Sequence, residues 1–337
     1  MLLDFRALEV ELRTLVRQWL EAGEIKFFIG YGKGPNSSIA RPMIIRDPAD
    51  VGKLVLGPSC VDNLTRYLLE EMQRKPKRGE EPDLRPIGIV VKPCDSKTLV
   101  ELIKEHIVPR DRVRVVGVLS ESSIDPEKLK TIIKQIPYEF RNAIIFEDVG
   151  EEFILKYEGG ELTVPKVDIE PHKCKVCITH KPVIKDVLLG KADIHFKPDE
   201  YSDIEELEAM SIEQRWAFWE EQFSKCVRCY ACRNACSLCY CTECVFDKTK
   251  PFSWNEKSVH TRENTFYHLV RAMHLAGRCV DCGECERVCP VDIPIRLMNR
   301  YLAREAKKQF KIYPGMNADD KPMFGEYDVD DPGEGIL

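Results

Sequence analysis

The sequence predicts an N-terminal α/β domain, a mixed sheet with flanking helices, followed by a mainly α-helical domain organised around cysteines. Three observations predict it. Strand-sized apolar segments alternate with amphipathic helical ones through residue 148, the pattern of a sheet covered by helices. Eleven of the 15 cysteines fall in the last third of the chain. The segments around those cysteines have helical rather than alternating periodicity. At 337 residues, 44% hydrophobic and 31% charged, the chain is long and apolar enough for two or three folded domains. We divide it into residues 1–170 (α/β), 171–222 (a CxxC segment and a connecting helix), 223–310 (the cysteine domain) and 311–337 (an acidic tail).

Residues 3–22 read as an amphipathic helix with Leu8, Leu12, Leu15, Val16 and Trp19 on one face. Glu24-Ile-Lys-Phe-Phe-Ile-Gly30 reads as a strand, then a glycine loop through Gly32 and Gly34, then a strand at Met43-Ile-Ile45. Helices over 61–74, 96–108 and 125–136 alternate with strands over 86–91, 112–118 and 142–148, and strands at 151–158 and 161–167 form a terminal hairpin or edge. In such sheets ligands bind beyond the carboxyl ends of the strands. Lys92-Pro-Cys-Asp95 lies there, directly after Ile87-Gly-Ile-Val-Val91. Asp95 or Ser96 is placed to cap the next helix, whose N-terminal amides suit an anion. Candidate cofactor-binding residues are therefore Gly30, Gly32, Gly34, Lys92 and Asp95. The glycine stretch lacks the full dinucleotide or phosphate-loop spacing, and glycines in a turn also have a plain steric explanation.

The net charge of −6 argues against a general nucleic-acid binder. No apolar run approaches the roughly 18 residues of a membrane span, and the N-terminus lacks the pattern of a secretory leader. The expectation is a cytoplasmic protein, in which thiols stay reduced and closely spaced cysteines point to metal rather than disulfides.

Eight cysteines form two runs of identical spacing, Cys226-x2-Cys229-x2-Cys232-x3-Cys236 and Cys279-x2-Cys282-x2-Cys285-x3-Cys289, the second followed by Pro290. In bacterial ferredoxins this spacing gives three thiolates of a run to one cubane and the fourth to the other. One [4Fe–4S] cluster is thus expected on Cys226, Cys229, Cys232 and Cys289, a second on Cys279, Cys282, Cys285 and Cys236. Zinc is the competing reading, but four cysteines at this spacing crowd too many thiolates into one loop for a tetrahedral ion. Of the remaining seven, Cys60, Cys94, Cys174 and Cys177 suffice for a third cluster if the fold brings the strand ends together. Alternatively Cys239, Cys241 and Cys244 bind it, completed by one upstream cysteine. At least one further iron–sulfur cluster is expected, with the Cys174/Cys177 pair favoured as part of it.

Thr265–Ala276 reads as a helix with Phe266, Leu269, Val270 and Met273 at helical spacing, ended by Gly277, and Ile293–Ala306 as another. His268 and His274, on the first, are read as packing or surface residues. Around the two runs these helices resemble the α-helical dicluster ferredoxin domain of succinate dehydrogenase iron–sulfur subunits and of heterodisulfide reductase small subunits. Lys92-Pro-Cys-Asp95, His172-Lys-Cys-Lys-Val-Cys177 followed by Asp186-Val-Leu-Leu-Gly190, and the cysteine-rich run from Cys226 to Phe246 together resemble the β-subunit family of coenzyme F420-reducing hydrogenases and formate dehydrogenases. Ser237 stands where the pattern has proline after the first run.

The resemblance implies a subunit of an anaerobic oxidoreductase complex that relays electrons rather than transforming a substrate. Its partners would be a formate dehydrogenase or hydrogenase catalytic subunit and heterodisulfide-reductase-like subunits or a ferredoxin. It also implies a flavin, FAD or FMN, and the alternative that the chain itself reduces or oxidises a deazaflavin or NAD(P). A zinc scaffold is the third, structural alternative. No GxSxG, HExxH or P-loop points to hydrolytic chemistry. Two further segments carry expectations. Ile204–Phe223 reads as one helix whose Trp216, Trp219 and Phe223 pack beside the first cluster. The tail carries Asp319, Asp320, Glu326, Asp328, Asp330, Asp331 and Glu334 against Lys321, as a solvated end or an arm that orders on a partner.

Overall fold

Asp4 starts the first helix: its carboxylate accepts from the amides of Arg6 (3.1 Å) and Ala7 (3.2 Å), satisfying donors that a helix start leaves open. Helix α1 (Phe5–Glu21) then buries Leu8, Leu12, Val16 and Trp19, the i, i+4 stripe read from the sequence. The computed structural model describes residues 4–34, 38–74, 78–79, 81–141, 144–190, 201–248, 258–323 and 325. The described chain falls into two units: residues 1–99 with 106–199, and residues 100–105 with 200–337.

In the first unit, α1 is followed by β1 (Phe28–Lys33), β2 (Ala40–Ile45), α2 (Thr65–Gln73), β3 (Ile87–Val91), α3 (Pro93–Lys104), β4 (Val113–Val118) and α4 (Pro126–Ile132). There follow β5 (Ile145–Asp148), β6 (Glu152–Tyr157), β7 (Gly160–Pro165), the single turns α5 (Lys166–Ile169) and α6 (His172–Lys175), and β8 (Val187–Leu189). The main sheet has the order β2-β1-β3-β4-β8, with β2 antiparallel and the rest parallel. All five residues of β3 are buried, as a central parallel strand covered on both faces requires.

Two expectations are corrected here. The strand predicted over 142–148 does not extend the main sheet; β5, within that segment, pairs antiparallel with β6 and, through it, β7 in a separate three-stranded sheet. That sheet closes over its own core of Leu129, Ile136, Phe153, Leu155, Val164 and Ile169. The place beside β4 is taken by β8, only three residues long. The glycine stretch is also not a loop: Gly30 and Gly32 lie within β1, paired with Met43 and Arg41. A Cβ on Gly30 would sit 2.6 Å from Leu54 Cδ2, and one on Gly32 would meet the Met43 side chain, so close side-chain approach explains both.

Gly88 in β3 has the same role more severely, since a Cβ there would lie 2.5 Å from Phe28 Cδ2 and 2.9 Å from Ile25 Cδ1. Phe28 and Ile25 are buried core residues and have no free end to swing aside. Gly88→Ala is expected to lower stability by about 1–3 kcal/mol through overpacking, read as a fall in the thermal midpoint.

The second unit is helical: α7 (Ser202–Glu208), α8 (Ile212–Ser224), α9 (Ala231–Asn234), α10 (Thr261–His274), α11 (Glu284–Arg287) and α12 (Ile295–Phe310). The helix read as continuous over 204–223 is two helices. Ser211 caps α8 reciprocally with Gln214, its hydroxyl accepting from the Gln214 amide while Gln214 Oε1 accepts from the Ser211 amide, a capping box that forces a fresh start. Phe223 is buried, Trp219 packs partly, and Trp216 is 58% exposed, so the expected core role fails for Trp216. Residues 324 and 326–337 of the acidic tail lie outside the described residues. Its beginning is tied down: the Gly315 amide donates to Glu101 Oε1 (2.5 Å), which also pairs with Lys104 (3.0 Å).

Candidate metal centres

The repeated cysteine spacing produces a repeated backbone. In the first run Arg228 (φ 55°) and Tyr230 (φ 60°) are left-handed; in the second, the equivalent Asp281 (φ 59°) and Gly283 (φ 72°) are too. A single turn of helix follows each, α9 and α11. Three non-glycine residues in this sparsely occupied region at matched positions are backbone strain that a fold keeps where a ligand is gripped. The turns carry backbone N–H groups toward sulfur: the Arg228 amide donates to Cys226 Sγ and the Ile293 amide to Cys289 Sγ, both at 3.4 Å.

The eight thiols fall into two groups that exchange their last members. Cys226, Cys229, Cys232 and Cys289 line one cavity together with Tyr267, His268, Ile293 and Ile295. Cys279, Cys282, Cys285 and Cys236 form the other group, within electrostatic reach of one another. Burial raises the thiols of Cys226, Cys232 and Cys285, and pushes Cys279 up to about 12. A coordinating metal reverses this by deprotonating its thiols outright. Among the described residues no three His, Cys, Asp or Glu side chains converge as a single metal ion would need; the first group instead surrounds a cavity.

Helix α10 supplies the wall. Its buried residues are Asn264, Tyr267, His268, Arg271 and Ala272, whereas Phe266, Leu269 and Met273, read as its packing stripe, are exposed. The polar face is the inward one because it points donors at the cysteine loops. Asn264 Nδ2 donates to the carbonyls of Phe223 (3.1 Å) and Cys226 (2.9 Å), and its Oδ1 accepts from Arg228 (3.3 Å). Tyr267 Oη lies 3.9 Å from Cys232 Sγ and His268 Nε2 lies 3.4 Å from Cys226 Sγ. Burial and the cations Arg271 and Arg228 push the His268 imidazole down to about 3, so the ring is neutral. His268 stacks on Phe223 with ring centroids 4.8 Å apart. It belongs to the site, and sequence reading left it out.

The second loop is held from α12. Arg296, 1% exposed, pairs with Asp203 (2.9 Å), Asp281 (2.9 Å) and Glu286 (3.1 Å). Arg300 joins the same two aspartates at 3.1 Å and 2.7 Å. Asp281 is the left-handed residue of the second run, so this network fixes the backbone that presents Cys279 and Cys282. Asn299 Nδ2 donates to Cys285 Sγ at 3.8 Å.

These residues fit anionic cubanes. Arg228 and Arg271 are buried, and among the described residues neither pairs with a carboxylate. Arg228 Nε and Nη2, Arg271 Nε and His268 Nδ1 are buried without hydrogen-bond partners. A buried uncompensated charge is strongly unfavourable, and a thiolate-ligated cluster provides the missing negative charge between them.

The other cysteines are placed as follows. Cys239 hydrogen-bonds Cys236, which pulls its thiol down to about 7. Cys244 is within reach of Arg233, and Cys241 is exposed. In the first unit, Cys60 and Cys94 both lie near Tyr31 and Lys92. Cys174 Sγ lies 3.5 Å from Ser123 Oγ, and Cys177 exchanges hydrogen bonds with Thr179. The buried Lys92 ammonium donates to Tyr31 Oη and to the Asp62 carbonyl (2.7 Å) and pairs with Asp95 (3.0 Å). Burial opposes its charge, but Asp95 and Cys94 outweigh that and hold its pKa above the ordinary value. Lys92 and Asp95 are thus brought together, whereas the expected cap differs: α3 begins at Pro93, and Asp95 accepts from the Lys92 amide (3.2 Å). Gly34 follows β1. Near it, Arg6 and Lys33 line an open cleft together with Asp4, Glu9, Glu147 and Asp148.

Comparison with known proteins places the chain in a class. Residues 84–208, a stretch that includes Lys92-Pro-Cys-Asp95, Cys174 and Cys177, match the family described as the C terminus of the coenzyme F420 hydrogenase/dehydrogenase beta subunit. Over that region the chain is similar to this family, whose phrases the sequence resembles. More particularly, it is similar to the F420-dependent formate dehydrogenase subunit beta of Methanocaldococcus jannaschii, 22% identical over 293 residues, covering 71% of this chain and 76% of that protein. It is also similar to the F420-dependent formate dehydrogenase 1 subunit beta of Methanococcus maripaludis, 21% identical over 368 residues and covering 93% and 92%. Among solved structures, a chain of the xenon-derivatised F420-reducing [NiFe] hydrogenase complex from Methanosarcina barkeri matches with a TM-score of 0.42 at 17% identity, over 53% of this chain and 64% of that one. Both cysteine runs lie beyond residue 208, outside the region that the family matches.

Proposed function

We propose that the chain is an iron–sulfur electron-transfer subunit of an oxidoreductase complex, with its second unit built as a dicluster ferredoxin. The single observation that carries this is the exchange of fourth cysteines: Cys289 of the second run completes the cavity of the first, while Cys236 of the first sits with the second. Two [4Fe–4S] clusters so held take up and release single electrons. The chain's own residues supply the cage thiolates, the backbone amides and the buried cations that accommodate negative charge.

The relatives are subunits of F420-dependent formate dehydrogenases. This supports a catalytic subunit of formate dehydrogenase or hydrogenase type on one side of the relay. On the other would be a heterodisulfide-reductase-like or ferredoxin partner. In the first unit, Cys60, Cys94, Cys174 and Cys177 are our choice for a third cluster over the Cys239, Cys241 and Cys244 set. Cys60 and Cys94 share the Lys92–Tyr31 surroundings, and Lys173, beside Cys174, is within electrostatic reach of Lys92. Among the described residues no helix is long and apolar enough to cross a membrane.

A second reading, a flavin-bearing reductase acting on a two-electron carrier, draws its support from the match of residues 84–208 to the hydrogenase/dehydrogenase beta-subunit family; the open cleft beside Gly34 adds none, since Asp4, Glu9, Glu147 and Asp148 outnumber Arg6 and Lys33 in its lining. Anaerobic purification followed by iron, sulfide, zinc and flavin analysis separates these readings. About eight iron and eight sulfide per chain are expected for two cubanes, and about twelve with a third. Stoichiometric flavin together with activity of the chain alone would favour the reductase. Zinc in place of iron would overturn both.

A further inference from the structure

We propose that Arg271 is a positioning residue shared by both cages, setting their electron affinities together by presenting one guanidinium to the thiols of each. The proposal rests on the reading that the cages hold cubanes. Arg271 lies in α10 and is 5% exposed; Nη2 donates to the Cys232 carbonyl at 3.1 Å, and Nε is buried without a partner. Its surroundings come from both sets: Cys232 from the first, Cys236 and Cys285 from the second, with Cys239 beside Cys236. The other groups facing this region are cationic or neutral, namely Arg228, the neutral His268 and Tyr267. The strongest charges acting on Arg271 are those thiols, not carboxylates.

Each added electron makes a thiolate-held cluster more negative, and a fixed cation in a low-dielectric interior favours that state. A planar guanidinium can address two sets at once through its fork of donors, whereas a lysine ammonium is a compact point charge. Reduction of one cage is therefore eased by the same side chain that eases reduction of the other, which keeps the two potentials close for passage of electrons between them.

The test is a redox titration of the full chain, followed by electron paramagnetic resonance, for wild type, Arg271→Gln, Arg271→Lys and the control Arg262→Gln. Arg271→Gln is expected to shift the reduction equilibria of both clusters at least tenfold toward the oxidised state, about 59 mV each for a one-electron couple. Arg271→Lys should retain the potential of one cluster and lower the other, splitting the pair. Arg262, exposed on the same helix, should move neither when replaced. If Arg271→Gln holds no iron, the lysine variant decides: wild-type spacing of its two potentials overturns the proposal. Unmoved potentials in iron-replete Arg271→Gln overturn it while leaving the cluster reading intact, and a wild-type chain without iron overturns both.

Discussion

Cys289→Ala should cost the protein the cluster of the other run, halving its iron from about eight to about four per chain if the two cubanes alone are counted. Cys289 is 53 positions beyond Cys236, yet its sulfur faces the cavity of Cys226, Cys229 and Cys232. The exchange makes a sharper forecast for pairs of substitutions. Cys226→Ala with Cys289→Ala should lose no more iron than either alone, because both thiols serve one cage. Cys279→Ala with Cys289→Ala should lose everything, although both residues belong to one run. Iron analysis of the four proteins checks it, the departure from additivity being itself the measure of shared membership. If each run instead held its own metal, the two double variants would behave the opposite way.

Arg296→Met should be the most damaging single change away from cysteine. Its guanidinium meets Asp203, Asp281 and Glu286 in a buried site. Removing it takes away one of the two arginines that pair with the buried Asp203 and the half-buried Asp281. Breaking such a pair from one side costs about 3–5 kcal/mol, which for a unit of this size lowers the thermal midpoint by about 10 °C. Arg296→Lys should recover little, since one ammonium cannot span three carboxylates. The loss should extend to the second cluster, because Asp281 holds its left-handed turn only while the arginines grip it. Calorimetry with iron analysis checks both parts; an Arg296→Met protein as stable as wild type would mean the network does not hold the loop.

What the sequence revealed and what it hid follow from the range of the interactions involved. Cysteine spacing is a local property, so the two runs could be read directly, and the structure places Cys289 along one cavity with Cys226, Cys229 and Cys232. The α1 stripe and the strands β3 and β4 were equally legible, since burial against a core leaves its period in the chain. Helix α10 shows where that logic fails. Its apolar positions Phe266, Leu269 and Met273 face out and its polar ones face in, because the interior there is a set of sulfurs that attracts donors rather than a hydrocarbon core. His268 was missed for that reason: a histidine on a helix carries no sign of what lies opposite. An Asn, a Tyr, a His and an Arg on one helical face, beside a cysteine run, would have been the signal. Strand β8 was hidden by its length, and β5 by strand pairing that no local pattern specifies. The Gly30–Gly34 stretch misled because close packing and tight turning select the same residue; only the Leu54 and Met43 side chains across the gap distinguish them.

The central claim, two cubanes held by exchanged cysteines, is tested most directly by electron paramagnetic resonance of the anaerobically purified, chemically reduced chain. The account predicts two rapidly relaxing signals of the reduced [4Fe–4S] type, broadened by mutual interaction, with the broadening gone in Cys289→Ala. A reduced sample silent in both regions, after reconstitution with iron and sulfide, would contradict it.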